Sequence, residues 1–311
     1  MNYSAKSIAI GAAAGFAAAL LSASASSPSL LSIFILLATP MPVLLAGLGW
    51  GPSAGIAAVA AAGITISIAG QPLLALIHAL AITVPAATMA YFASLGKAGP
   101  DGAMEWYPLS GILIRAIALV SAGFMAAGFL TGFGPALSAE VANAIAAQVQ
   151  LSDPTVIISA EDRAAIGATF ARIIPYAMPA YWLTVLIGNF YAALHIARKS
   201  GQLLRARDFW PSALRLPRYA LAAMAVTMAL SFLSGGLGDL AAVPAGALAA
   251  GFCAVGLALL HGATLGKPWR GPALFGTYAA ILLATLPLIP LFFAGLFVTA
   301  RQENEVDQTT H

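Results

Sequence analysis

Charge is what this chain lacks most. Only 8% of its 311 residues are Asp, Glu, Lys or Arg, against roughly 25% in a soluble domain. That deficit excludes an ordinary water-soluble fold. Cysteine is almost missing too. The single Cys253 lies inside an apolar run, which excludes a disulfide framework or thiolate metal cluster and leaves a buried structural thiol. No HExxH, GxSxG or Walker phosphate loop occurs, and no paired carboxylates lie within the apolar runs. Proton- or sodium-coupled carriers and intramembrane prenyl-chain enzymes generally need buried acids. The sequence therefore offers no catalytic residues, no metal site and no cofactor site, and an enzyme is the least favoured class. Apolar–polar alternation over roughly 10-residue strands is absent as well, which argues against a β-barrel.

What is present is continuous apolar sequence, rich in Ala and Leu. Hydrophobic residues make up 60% of the chain and the mean hydropathy is +0.91. A membrane-spanning helix needs about 20 such residues. The expected fold is all-α: one polytopic transmembrane bundle over residues 1–300 with a polar tail at 301–311. Candidate spans are 7–24, 29–49, 53–70, 72–95, 109–131, 173–197, 218–236, 241–264 and 273–299. Nine is the preferred count. The connections "GWGP" (49–52) and "GQP" (70–72) are short enough to be either turns or broken, re-entrant segments, so eight stays open. Lys6, an apolar run and "SASAS" (22–26) resemble a cleavable signal peptide; the alternative is an uncleaved first helix.

Lys and Arg are retained on the cytoplasmic side of a membrane. Placing the richest loop, 198–217, inside also places Lys6, Lys97, Arg115, Lys267 and Arg270 inside, and leaves only Arg163, Arg172 and Arg301 outside. The outer side also receives Glu140, Asp153, Glu161, Asp162, Asp239 and the acidic tail. The expectation is a bacterial cytoplasmic membrane protein with its N-terminus inside. The basic loop itself, with Arg198, Lys199, Arg205, Arg207, Arg215 and then Arg218, reads as a set of contacts to anionic headgroups. No stacking platform accompanies these charges, so nucleic acid is not an expected partner.

The long extracytoplasmic connection, 132–172, carries Leu137, Val141, Ile145 and Val149 at helical spacing. This predicts an amphipathic helical elbow, broken at "SDP" (152–154) and followed by a capping motif, "SAED" (159–162). It is either a lid over an outward-facing cavity or a structural bend.

Polar groups within spans are costly and need a partner or a purpose. In span six, Tyr181, Thr184, Gly188, Tyr191, His195 and Arg198 step by three and four along one face, and Trp182 and Asn189 occupy a neighbouring one. Such a stripe is expected to face the bundle interior. There it lines a cavity for a small organic ligand or packs against other helices. His78, in span four, either donates to a backbone carbonyl of a neighbouring helix or serves a ligand or proton relay. The ligand-binding candidates are thus His78, Tyr181, Trp182, Thr184, Asn189, Tyr191 and His195. Arg115 is expected to snorkel to headgroups and His261 to sit at the interface. Pro175, Pro179, Pro287 and Pro290 predict kinks. Gly11/Gly15, Gly51/Gly55, Gly128/Gly132 and Gly262/Gly266 offer close helix approach.

"TPMPVLLAGLGWG" (39–51), the polar elbow, "IPYAMPAYWLTVLIGNFYAALHIARKSG" (174–201) and the basic loop before the last spans together resemble the YybS-like family of bacterial membrane proteins, over most of residues 5–300. That family is distantly similar to the substrate-binding S subunits of energy-coupling-factor vitamin transporters. The resemblance implies no catalytic residues. The first reading is a transporter-like binding protein, with a small molecule held on the outer side beneath the elbow and against spans four to six, and with energy drawn from a partner because the chain has no ATP-binding motif. The alternative is a membrane scaffold or assembly factor acting through protein partners.

Overall fold

The computed structural model describes residues 4–24, 29–100, 102–133, 135–153 and 155–301. Local signals account for most helix ends. Ser4 and Ser29 cap α1 (Ala5–Ala23) and α2 (Leu30–Leu37), each hydroxyl accepting from the backbone N–H three residues on. Pro40 and Pro42 interrupt the second apolar run, so α2 passes through a turn into α3 (Met41–Trp50). Gly51, at φ 84°, reverses the chain, and Pro52 opens α4 (Pro52–Ile68). Next come α5 (Pro72–His78), a π-helical turn (Ala79–Thr83) and α6 (Val84–Ala93). The wide turn has a local cause. Pro85 cannot donate to the Ala81 carbonyl and would crowd it, and widening the helix there relieves the clash.

A two-stranded antiparallel hairpin, β1 (Gly96–Ala98) and β2 (Met104–Trp106), links α6 to α7 (Leu109–Thr131), with an ion pair between Lys97 and Glu105 at 3.1 Å. The predicted elbow is α8 (Pro135–Ser152). It lies on the first part of α9 (Ala160–Lys199), with Ala142 and Ala146 buried and Val141, Ile145 and Val149 half-buried beside them. The side chain of Leu137 lies outside the described residues. Beyond α8, Asp153 accepts from the Thr155 N–H (3.0 Å) and hydroxyl (2.6 Å), which holds its carboxyl below the usual carboxylate range. The capping motif forms: Ser159 Oγ accepts from the Asp162 N–H at 3.0 Å and donates to the Asp162 carboxylate at 2.7 Å. After α9 come one turn, α10 (Trp210–Ala213), then α11 (Tyr219–Ser231), α12 (Gly236–Ala263), α13 (Arg270–Ala284) and α14 (Leu288–Ala300).

The chain is an all-α bundle apart from that hairpin. Among the described residues six helical stretches are long and apolar enough to cross a membrane: α1, α2–α3 together, α5–α6 together, α7, α9 and α12. A helix or helix pair stands at each of the nine predicted positions, but three fall short of a straight full-length span. α4 has 17 residues and α11 has 13, while α13 and α14 are bent by 118° at their junction. The ninth candidate run is therefore not one kinked helix but divides into α13 and α14 at Thr285 (φ 52°) and Pro287. By contrast, α9 runs unbroken through Pro175 and Pro179.

Small residues set the packing. A methyl group at Gly11 or Gly15 would collide with the carbonyl of Ala54 or Ala58, so α1 and α4 touch backbone to backbone and run parallel. Gly246 meets the Tyr176 carbonyl in the same way. Gly256 meets that of Leu291, and Gly295 that of Phe252. These notches make α12 the centre of the bundle, antiparallel to α14 and packed on α7, α9 and α11. Of the predicted glycine pairs only Gly11/Gly15 acts as an interhelical notch. Gly51 and Gly266 face open space, Gly128 abuts Phe133 of its own helix end, and Gly262 approaches Pro211. The main core is aliphatic, drawn from Leu44, Ile112, Val120, Leu183, Leu186, Leu216 and Val255 around Phe190 and Phe252.

Candidate functional site

The basic loop is a built part of the bundle. Arg205, expected at the headgroups, is only 2% exposed. Its Nε and Nη2 each donate to one Asp208 carboxylate oxygen at 2.7 Å, and its Nη1 donates to the carbonyls of Tyr107 (2.8 Å) and Ala93 (3.4 Å). Ala93 is the last residue of α6, whose terminal carbonyls carry partial negative charge. One guanidinium thus joins the loop to the end of α6 and to the exit of the hairpin. Leu203, Leu214 and Leu216 of the same loop are buried in the main core. Arg198 donates to the carbonyls of Arg205 and Ala206, and Arg215 to that of Pro211. Lys199, Arg207 and Arg218 remain exposed. Arg115 is exposed, stacked on Phe92 and Tyr107 at 4.7 and 5.1 Å.

Docking the loop creates a groove of about 670 Å³ between it, the later part of α9, the last turns of α12 and the first part of α13. α9 and α12 run parallel: Tyr176 meets Gly246 at one level, and Tyr191 and His261 line the groove at the other. The walls are largely apolar. The polar members are Tyr191, Arg207, Asp208, His261, Arg270 and Tyr278. Trp210 stands edge-on to Tyr191, with ring centroids 5.0 Å apart.

His261 sits between two neighbours. Its Nδ1 is 3.4 Å from Arg270 Nη2 and its Nε2 is 2.9 Å from the Tyr278 hydroxyl. A guanidinium can only donate. Nδ1 therefore accepts, Nε2 carries the proton and donates to Tyr278 Oη, and the Tyr278 hydroxyl hydrogen is left for another acceptor. Arg270 is further held by the His261 carbonyl and the Thr264 hydroxyl (3.2 Å).

The sequence-derived candidates disperse. Tyr191, half exposed, lines the groove, and His195 borders an adjoining recess of about 20 Å³. Tyr181 is exposed and leans on Trp182, while Thr184 is exposed and donates to the Ala180 carbonyl in its own helix. Trp182 is buried among Ala81, Ile82 and Val185. Asn189 Nδ2 donates to Leu37 O (2.8 Å) and Val185 O (2.9 Å), fastening the end of α2 to α9. The polar stripe thus faces away from the core, correcting its expected inward orientation. The inward face is Leu183, Leu186, Phe190, Leu194 and Ala197. Asp208, Trp210, His261, Arg270 and Tyr278 were not recognised as one site. Their common signal was positional, because span ends carried to the same side by the charge pattern converge there.

His78 stands apart from the groove. It is 4% exposed, and neither ring nitrogen has a hydrogen-bond partner among the described residues. The expected donation to a neighbouring carbonyl is not made. The hydroxyls of Thr39, Thr83 and Ser121 are likewise buried without partners. An unpaired buried polar group costs roughly 1–3 kcal/mol. His78→Leu is therefore expected to stabilise the protein by about that amount in detergent unfolding experiments. A loss of stability would mean that the imidazole has an essential partner.

The recess beneath the elbow, between α8 and α9, is an open depression lined mainly by alanines with Asn143 and Arg163. It encloses less than the groove at the basic loop. No protein-family model, curated protein or solved structure matches the chain.

Proposed function

We propose that this chain is a multi-pass protein of a bacterial cytoplasmic membrane, crossing it nine times with its N-terminus inside. On this reading it serves as the ligand-binding part of a transporter energised by a partner protein. The groove carries the reading: its volume of about 670 Å³ falls in the range of small-molecule sites, as does its combination of apolar walls with a few fixed polar groups. Helix directions support the crossing number. Parallel α1 and α4 suit first and third crossings, parallel α9 and α12 suit sixth and eighth, and antiparallel α12 and α14 suit eighth and ninth. The 17 residues of α4 lie at the lower limit for a span, and the shorter α11 calls for local thinning of the bilayer. The resemblance to the YybS-like family is what suggests a binding protein of this kind; the groove moves the proposed ligand site from beneath the elbow to the end of the bundle at the basic loop. In this topology the ligand site lies at the cytoplasmic end, with the basic loop, and the elbow lies outside.

Purification of the full chain in nanodiscs of its native lipids, followed by a density map and mass spectrometry of the extract, tests the reading. The expected result is close to one small molecule per chain in the groove. Its affinity should fall about 3- to 10-fold in Tyr191→Ala, which removes one aromatic wall. An empty groove together with a stoichiometric second protein would instead establish the scaffold alternative.

A further inference from the structure

The charges around the groove are unbalanced in a specific way. Arg205, Arg207 and Arg270 stand against the single carboxylate of Asp208, and Arg205 occupies both oxygens of that carboxylate. Arg207 has no hydrogen bond or ion pair among the described residues, while Arg270 is bound only by neutral acceptors. Two guanidiniums therefore border a largely apolar space without a counter-charge, which favours an anion there. The planar fork of Arg matches phosphate oxygens, and the free Tyr278 hydroxyl hydrogen supplies a further donor.

The walls say what the anion is attached to. Ile187, Ala254 and Leu257 stand a turn or more before Tyr191 and His261 on α9 and α12 and continue the apolar lining there, while Leu265, 55% exposed, forms an edge beside Arg270. A free phosphate or a polar phosphorylated metabolite would gain nothing from that surface, whereas acyl chains would cover it. Tyr191, Trp210 and Tyr278 are the residue types that settle at the headgroup level of membranes. We infer that the groove binds an anionic phospholipid, its phosphate held by Arg207 and Arg270 and its chains lying along Ile187, Ala254 and Leu257. This rests on the groove being the ligand site and names the ligand's class.

The test uses the full chain in nanodiscs of phosphatidylcholine with increasing phosphatidylglycerol, read by native mass spectrometry. Wild type is expected to retain one phosphatidylglycerol in preference to phosphatidylcholine. Arg207→Gln, at an exposed side chain with no intramolecular partner, should keep the fold and lower that preference about 10- to 100-fold. Arg207→Lys should fall between, and Lys199→Gln, an exposed cation outside the groove, should match wild type. Equal retention of the two lipids, or retention indifferent to Arg207→Gln, overturns the inference. So does binding of glycerol 3-phosphate as tight as that of the lipid. A neutral molecule found in the groove overturns the lipid assignment but leaves the ligand-binding reading standing; a groove empty under every condition overturns both.

Discussion

Arg205→Ala is expected to lower stability by about 3–5 kcal/mol, the range for removing one partner of a buried ion pair. Three consequences act together. The Asp208 carboxylate keeps its charge and loses both of its 2.7 Å donors. The carbonyls of Ala93 and Tyr107 lose theirs. A cavity opens where the largest fully buried side chain stood. The Asp208 side chain is 17% exposed, so some water reaches it, and the lower end of the range is the better expectation. A double-mutant cycle separates these contributions. Asp208→Asn removes the stranded charge, so Arg205→Ala in that background should cost clearly less than in wild type. Thermal or denaturant unfolding in detergent gives the numbers. If Arg205→Ala came within about 1 kcal/mol of wild type, a range typical of surface ion pairs, the loop would not depend on this residue. The same variant should weaken any groove ligand, because Arg207, Asp208 and Trp210 form one wall.

The second large effect is expected where α12 meets α14. Gly256→Ala and Gly295→Ala each place a methyl group against backbone atoms of the opposite helix, at Leu291 and Phe252 respectively. Backbone cannot step aside as a flexible side chain can, so each should cost about 2–3 kcal/mol, the upper part of the usual overpacking range. Together they should cost less than their sum, because the first methyl group already parts the helices. The single cysteine reports the movement. Cys253 Sγ lies 3.5 Å from the Leu288 carbonyl at the start of α14, and it should react faster with a thiol reagent once α14 moves away. Unchanged reactivity with unchanged stability would show that the two helices are not held by this contact.

Much of the bundle was legible because length and apolarity identify helices that can span a membrane. Of the nine apolar runs, six became helices or helix pairs long and apolar enough to cross a membrane, and Ser4, Ser29, Pro52 and Ser159 began helices for reasons visible in the sequence. The interior was harder to read. In water a polar stripe marks the outside, while in a membrane protein it is expected inside, and the stripe of α9 lies outside against the second rule. Its buried side was chosen by the fit of Leu183, Leu186 and Phe190 against neighbouring helices. Arg205 was misassigned for a related reason. Counting positive charge treats each Arg alike, whereas Asp208 one turn later gave this one a partner and allowed its burial. The groove was out of reach of spacing arguments, because His261 and Tyr278 are joined across two helices and a loop.

The 40 residues of α9 have a mechanical consequence. At 1.5 Å per residue the helix is a rod of about 60 Å, twice the thickness of a bilayer's hydrocarbon core. It meets α12 backbone to backbone at Tyr176 and Gly246, part-way along. A tilt of about 10° there carries the Lys199 end by about 6 Å and the Ala160 end by about 4 Å the opposite way. One side of the groove and the seat of α8 are thus carried by one rod, so any tilt of it would move both, in opposite directions.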